Sequence, residues 1–177
     1  LEHGFRDGFP VKGNALLTEI LDPSCVRLDL TASTKDGVIE ALVDVLVSAG
    51  VVTDRERMIE DLVQRERLMS TGIGGEIAVP HAQSAGATRL ALALGRIKEP
   101  VDFESLDEKP VRLVFMVVGP EERLGFIKVL ARISRLLYSG DLQRSLLGAR
   151  TPVEAVACIR QEESHLTGKP AQQPYPR

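Results

Sequence analysis

The sequence predicts one domain of the α/β or α+β class, a mixed sheet covered by helices. Three observations lead there. The chain has 177 residues, a length that fits one domain and hardly two. Its apolar residues switch between two periods, alternating in some stretches and recurring every three or four residues in others. One stretch, Val111–Val118, is apolar at every position except Arg112. That is the pattern of a strand buried on both faces, which requires helices on both sides of the sheet.

The elements follow in order. Residues 1–14 carry Gly and Pro without a period and are read as a tail or linker. Residues 15–163 form the expected domain, and 164–177, ending in GKPAQQPYPR, form an expected disordered tail. Ala15 to Leu21 makes a short helix stopped by Asp22-Pro23. Val26, Leu28 and Leu30 alternate with polar neighbours as a strand. Ser33 or Thr34 caps a helix with the stripe Val38, Leu42, Val45 and Ala49, closed by Gly50. Thr53 with Glu56 predicts a capping box for a second helix, to about Leu68. Ser70–Gly75 reads as a turn, and Ile77–Val79 as a short strand stopped by Pro80-His81. Leu90, Leu92 and Leu94 alternate as another strand. The polar stretch 98–110 is expected to hold a short edge element. After Val111–Val118 come helices at about 122–137, at 141–148, and from Thr151-Pro152 with Glu154 as the box residue.

Composition narrows the function. Lys and Arg number 22 against 25 Asp and Glu, a net charge of −3, whereas wrapping phosphate backbones needs a basic surplus. Aromatics are 4% with no Trp, too few for a base-stacking platform, so nucleic acid is not an expected partner. Cys25 and Cys158 form no CxxC and read as reduced thiols. No apolar run approaches the ~18 residues of a membrane span, and no leader pattern is visible. The expected location is the cytoplasm, without membrane insertion. The chain begins at Leu1, which predicts a trimmed or processed start.

Common catalytic motifs are absent: no GxxxxGK[ST], no GxSxG, no HExxH. The Gly72, Gly74, Gly75 cluster lacks the preceding strand of a dinucleotide site. What stands out is His81, placed where a strand and Pro80 hand over to a loop. Pro80 has a fixed φ and stiffens the backbone that presents the ring. Imidazole is largely unprotonated near neutral pH and can act as a nucleophile. From spacing alone, a structural histidine bonded to a loop carbonyl is the favoured alternative. Met58, Leu62, Arg65 and Met69 are spaced 4, 3 and 4, which places Arg65 on the apolar stripe of its helix. A guanidinium there either snorkels at the helix end or serves an anion. An Arg, a His and a glycine-rich turn with open amides together suit a phosphoryl group, whose transfer is mostly positioning and charge stabilisation.

These residues resemble a known family. The run RERLMSTGIGGEIAVPH, Arg65 to His81, is similar to the signature of enzyme IIA domains of the fructose/mannitol class, in the bacterial phosphoenolpyruvate-dependent sugar phosphotransferase system (PTS). The nitrogen-regulatory IIA proteins belong to the same family. The likeness continues through Pro100–Phe103, Pro110–Val118, Leu130–Leu137 and Leu146–Glu154, and covers about 15–163.

The resemblance implies a five-stranded mixed sheet sandwiched by helices. It implies that His81 accepts a phosphoryl group on Nε2 from an HPr-type phosphohistidine carrier, a phosphotransferase role. Arg65 would bind that group, while Gly72, Gly74 and Gly75 would shape the loop beside it. No cofactor or metal is implied. The family carries a second histidine where this chain has Phe126, and Phe cannot make that residue's hydrogen bonds. Phe126 also falls on a stripe with Leu130, Ile133 and Leu137, as a core residue would. Lys128, Arg132 and Arg135 form a basic stripe, read as a solvated face or a docking surface. The favoured role is regulatory, of the nitrogen type, with a target protein as partner. The alternatives are a sugar-transport component passing phosphate to a IIB domain, and a non-phosphorylated binding module.

Overall fold

The computed structural model describes residues 16–121 and 125–167. The expected tail at 1–14 lies outside them. A 3-10 turn, Leu17–Glu19, stands where a short helix was expected. A second, Pro23–Cys25, is held by the Asp22 carboxylate, which accepts from the Ser24 N–H at 2.8 Å. Strand β1 is Val26–Leu30. Helix α1, Lys35–Ser48, begins where the Thr34 hydroxyl accepts from the Gly37 N–H, and ends before Gly50, whose φ of 67° suits glycine. Helix α2 is Arg55–Leu68. Its cap is Asp54, which accepts from the Arg57 N–H at 3.0 Å, and not the expected Thr53–Glu56 box. Thr53 is already engaged, its N–H donating to the Gly86 carbonyl at 2.9 Å.

Four further expectations change in the sheet. Part of the turn at 70–75 is strand β2, Gly72–Gly74, paired antiparallel to β3, Ile77–Ala78. Pro80 does not stop the strand. It lacks an N–H, but its carbonyl accepts from the Val117 N–H at 3.0 Å, and the chain resumes as β4, His81–Gln83. Strand β5, Ala91–Val101, is buried on both faces over 91–95 and does not alternate. It also absorbs 98–101, where a separate edge element was expected. Strand β6 is Val111–Gly119. The order is β1-β5-β6-β3-β2, with β4 also on β6. β3 and β4 both run parallel to β6 in one continuous register, Ile77 opposite Leu113 and His81 opposite Val117. Taken as halves of one strand they make the sheet five-stranded, as the resemblance implies.

Helices α3 (Phe126–Leu137), α4 (Asp141–Gly148) and α5 (Pro152–Thr167) complete the chain; the expected start of α3 at 122 falls outside the described residues. Two neighbouring residues of β5 mark the two faces. A Cβ on Gly95 would lie 2.6 Å from Leu30 Cδ1 and 3.1 Å from Leu42 Cδ2, so α1 packs against bare backbone there. Arg96, pointing the other way, donates to the carbonyls of Leu146, Leu147 and Ala149 at the end of α4, and to that of Leu28. Helices α1 and α2 thus pack on one side, α3 to α5 on the other.

The last helix runs on to Thr167, so residues 164–167 are not the expected tail. Its Glu163 is buried. The carboxylate accepts from Arg132 Nε at 2.8 Å, from the Leu17 N–H at 2.6 Å and from the Thr18 hydroxyl at 2.9 Å. Arg132 is therefore buried and ion-paired, which breaks the expected solvated stripe and leaves Lys128 and Arg135 exposed. Cys25 and Cys158 are free thiols, and burial pushes that of Cys25 up.

Candidate functional site

His81 opens β4, between the last turn of α2 and the first turn of α3. Its backbone is fixed by pairing with β6 and by the proline before it. The ring is half-buried, and Nδ1 lies 2.8 Å from the Val79 carbonyl oxygen. A carbonyl only accepts, so Nδ1 carries the proton and Nε2 keeps its lone pair. Burial pushes the pKa of His81 down; the Val79 bond and the Glu66 carboxylate push it up, and Arg65 adds to the downward shift. The net direction is down, so the ring is neutral at neutral pH. The ring is bonded to a loop carbonyl, one of the two alternatives left open by spacing, and that bond leaves Nε2 with its lone pair.

Arg65, half-buried in the last turn of α2, donates from Nη1 to the Met69 carbonyl at 3.2 Å. Among the described residues that is its one hydrogen bond, out of five N–H donors. Phe126 is buried, with its ring centroid 6.1 Å from that of His81 and tilted by 52°. It is both a core residue and the neighbour of the imidazole. It also opens α3, so the first turn of that helix lies near His81.

The structure does not bring the glycines to His81. Gly74 (φ 89°), Gly75 (φ 61°) and Glu76 (φ 66°) make the β2–β3 hairpin. Gly74 lies opposite Ile77, four strand residues or about 13 Å from His81. The Gly75 N–H is not open: it donates to Asp107 at 2.9 Å and holds that carboxyl below the usual range. Gly72 is glycine for space, since a Cβ would fall 3.1 Å from the Ser105 Cα. Gly74 and Gly75 build the turn at the far end of the hairpin from His81, while Gly72 lies in β2 opposite Ala78.

Sequence reading missed Glu66. It is buried, and both carboxylate oxygens accept from Thr71, through the N–H at 3.0 and 3.2 Å and the hydroxyl at 2.6 Å. The signal was present, because Met58, Leu62 and Glu66 share one spacing of four and all three are buried. Around the site, Leu68 (83% exposed), Met69 (69%) and Ile127 (77%) leave apolar surface in water on the helix ends that carry Arg65 and Phe126. Two shallow grooves, one along β1 and α1 and one beside Arg96 and Arg112, do not include His81. No cluster of His, Cys, Asp and Glu suited to a metal occurs among the described residues, nor any helix long and apolar enough to cross a membrane.

The site is thus a half-buried imidazole, bonded through Nδ1 to the Val79 carbonyl and close enough to Arg65 to feel its charge. The family profile described as "Phosphoenolpyruvate-dependent sugar phosphotransferase system, EIIA 2" matches residues 19–162, and the chain belongs to that family. It is 37% identical over 148 residues to the PTS system fructose-specific EIIABC component of Bacillus subtilis, covering 83% of this chain but 23% of that much longer protein. It is 34% identical over 137 residues to a nitrogen regulatory protein of Bradyrhizobium diazoefficiens, covering 76% of this chain and 88% of the relative. Among solved structures, nitrogen regulatory protein IIA-Ntr from Neisseria meningitidis superposes with a TM-score of 0.75 at 31% identity, over 82% of this chain and 99% of that one.

Proposed function

We propose that this chain is a phosphocarrier that takes a phosphoryl group on Nε2 of His81 from the phosphohistidine of an HPr-type protein. The observation that carries the reading is the bond from Nδ1 to the Val79 carbonyl, which leaves Nε2 as the nucleophile of a neutral ring. Nε2 attacks phosphorus as the bond to the donor imidazole breaks, and the donor nitrogen keeps that electron pair. Arg65 supplies donors to the phosphoryl oxygens, and the first turn of α3 adds its dipole. A protein donor fits the exposed apolar Leu68, Met69 and Ile127 on the helix ends that carry Arg65 and Phe126.

Two roles follow from that chemistry. Phe126 stands beside His81 where the resemblance implies a second histidine, which favours a regulatory protein whose phosphorylation changes a target's binding. The likeness to a fructose-specific component favours the second reading, delivery to a IIB domain in sugar transport. The test is incubation with phosphoenolpyruvate, enzyme I and an HPr-type carrier. The expected result is one acid-labile phosphoryl, about 80 Da per chain, absent from His81→Ala. Label persisting in that variant overturns the assignment.

A further inference from the structure

We infer that Glu66 is a positioning residue for His81: it draws the Thr71 amide out of the strand ladder and so reserves the Val79 carbonyl for Nδ1 of the imidazole. The inference deepens the proposed role of His81, and its catalytic consequence rests on that reading.

The argument is one of ladder geometry. Gly72 lies opposite Ala78, so Thr71 lies opposite Val79. The Val79 N–H donates to the Thr71 carbonyl at 2.9 Å. In an antiparallel pair of this kind the two residues exchange both bonds. The return bond would run from the Thr71 N–H to the Val79 carbonyl. It is not made: the Thr71 N–H turns to the Glu66 carboxylate at 3.0 and 3.2 Å, and the Val79 carbonyl receives His81 Nδ1 at 2.8 Å. Glu66 is 3% exposed, and a buried carboxylate is costly unless hydrogen-bonded, so the Thr71 amide and hydroxyl are its natural partners. The carboxylate outcompetes a neutral carbonyl for that amide because hydrogen bonds to an ionised acceptor are the stronger ones. One buried side chain in α2 thereby selects the imidazole tautomer two steps away, without touching the ring.

The test reads the tautomer directly, by ¹⁵N NMR of the full chain with labelled histidine, at a pH where His81 is neutral. Wild type should show Nδ1 protonated and Nε2 bare, with the Thr71 amide coupled through its hydrogen bond to the Glu66 carboxylate carbon. A Thr71 amide coupled instead to the Val79 carbonyl overturns the inference in the wild type alone, whatever the variants do. In Glu66→Leu the Thr71 N–H is released to the Val79 carbonyl. The ratio of Nε2–H to Nδ1–H should then rise about fivefold, the worth of one ordinary hydrogen bond. Glu66→Gln keeps an acceptor for the amide and should restore the wild-type ratio. An unchanged tautomer in a folded Glu66→Leu refutes the role, since a merely structural carboxylate would alter melting but not the ring. The carrier-dependent label separates the two claims: wild type that fails to label sinks the phosphocarrier reading, while the tautomer still reports on Glu66.

Discussion

Arg65, in the last turn of α2, and Arg96, on β5 against the end of α4, are used in opposite ways. Arg96 closes the end of α4. Its Nη1 lies within 3.1 Å of three carbonyls, those of Leu146, Leu147 and Ala149, and its Nε bonds that of Leu28. It joins β1, β5 and the α4–α5 corner, with its donors directed at backbone. Arg65 closes the end of α2 with one bond to Met69, and among the described residues its other donors meet no acceptor. The same side chain is a strut where it meets four carbonyls and keeps unused donors where it meets one. The difference lies in the acceptors around it.

That contrast can be broken by substitution, and the largest effect belongs to Arg65. Arg65→Ala should fold normally and accept phosphate about 10²–10³ times more slowly, the usual cost of losing one preorganised charge-stabilising donor. A wild-type labelling rate would make Arg65 a strut as well. Phe126→His comes next. A hydrogen-bonding ring beside His81 should speed exchange with a phosphorylated partner about 10- to 100-fold, the worth of one or two well-placed bonds. Transfer kinetics, variant against wild type, decide it, and no change removes the main support for regulation over transport. Arg96→Ala should show the inverse pattern: a loss of about 2–4 kcal/mol in denaturant unfolding, with labelling per folded molecule within about twofold of wild type. A large rate loss without destabilisation would erase the distinction.

The smallest effect is a titration. Burial lowers the pKa of His81 from its ordinary 6.5, so NMR should place its midpoint below that value. The unfolded chain binds this proton more readily than the folded one, so His81 costs stability as pH falls below 6.5 toward the depressed midpoint, and none above it. Arg65→Ala should move the midpoint up and Glu66→Gln should move it down, because the first charge disfavours the imidazolium and the second favours it. Unchanged midpoints would mean that neither charge is felt at the ring.

Local chemistry was legible in the sequence, and long-range pairing was not. His81 behind Pro80 and the buried run of β6 declare themselves within a few residues, whereas the expected stripe through Arg65 and Met69 does not hold: Glu66 is buried with Met58 and Leu62, while Arg65 is half-buried and Met69 exposed. The glycine-rich turn also declared itself, but its Gly75 amide is taken by Asp107, 32 residues away, which no spacing announces. The local stripe predicts Arg132 on a solvated face or a docking surface, because its partner Glu163 lies 31 residues further on. Pro80 was read as a stop because it lacks a donor, yet a strand passing on through its carbonyl needs none there. Glu66 is the instructive miss. Its spacing said buried and its chemistry said exposed, and only the Thr71 amide and hydroxyl resolve the conflict.

The ion pair of Arg132 with Glu163 has an architectural consequence. Glu163 near the end of the last helix also grips the backbone of Leu17 and the hydroxyl of Thr18, at the first described turn. Entry and exit of the polypeptide therefore meet at one knot, clasped by a buried carboxylate. A domain tied in this way can be spliced into a longer chain like a bead on a loop, with traffic in and out at a single doorway and little strain passed to the sheet.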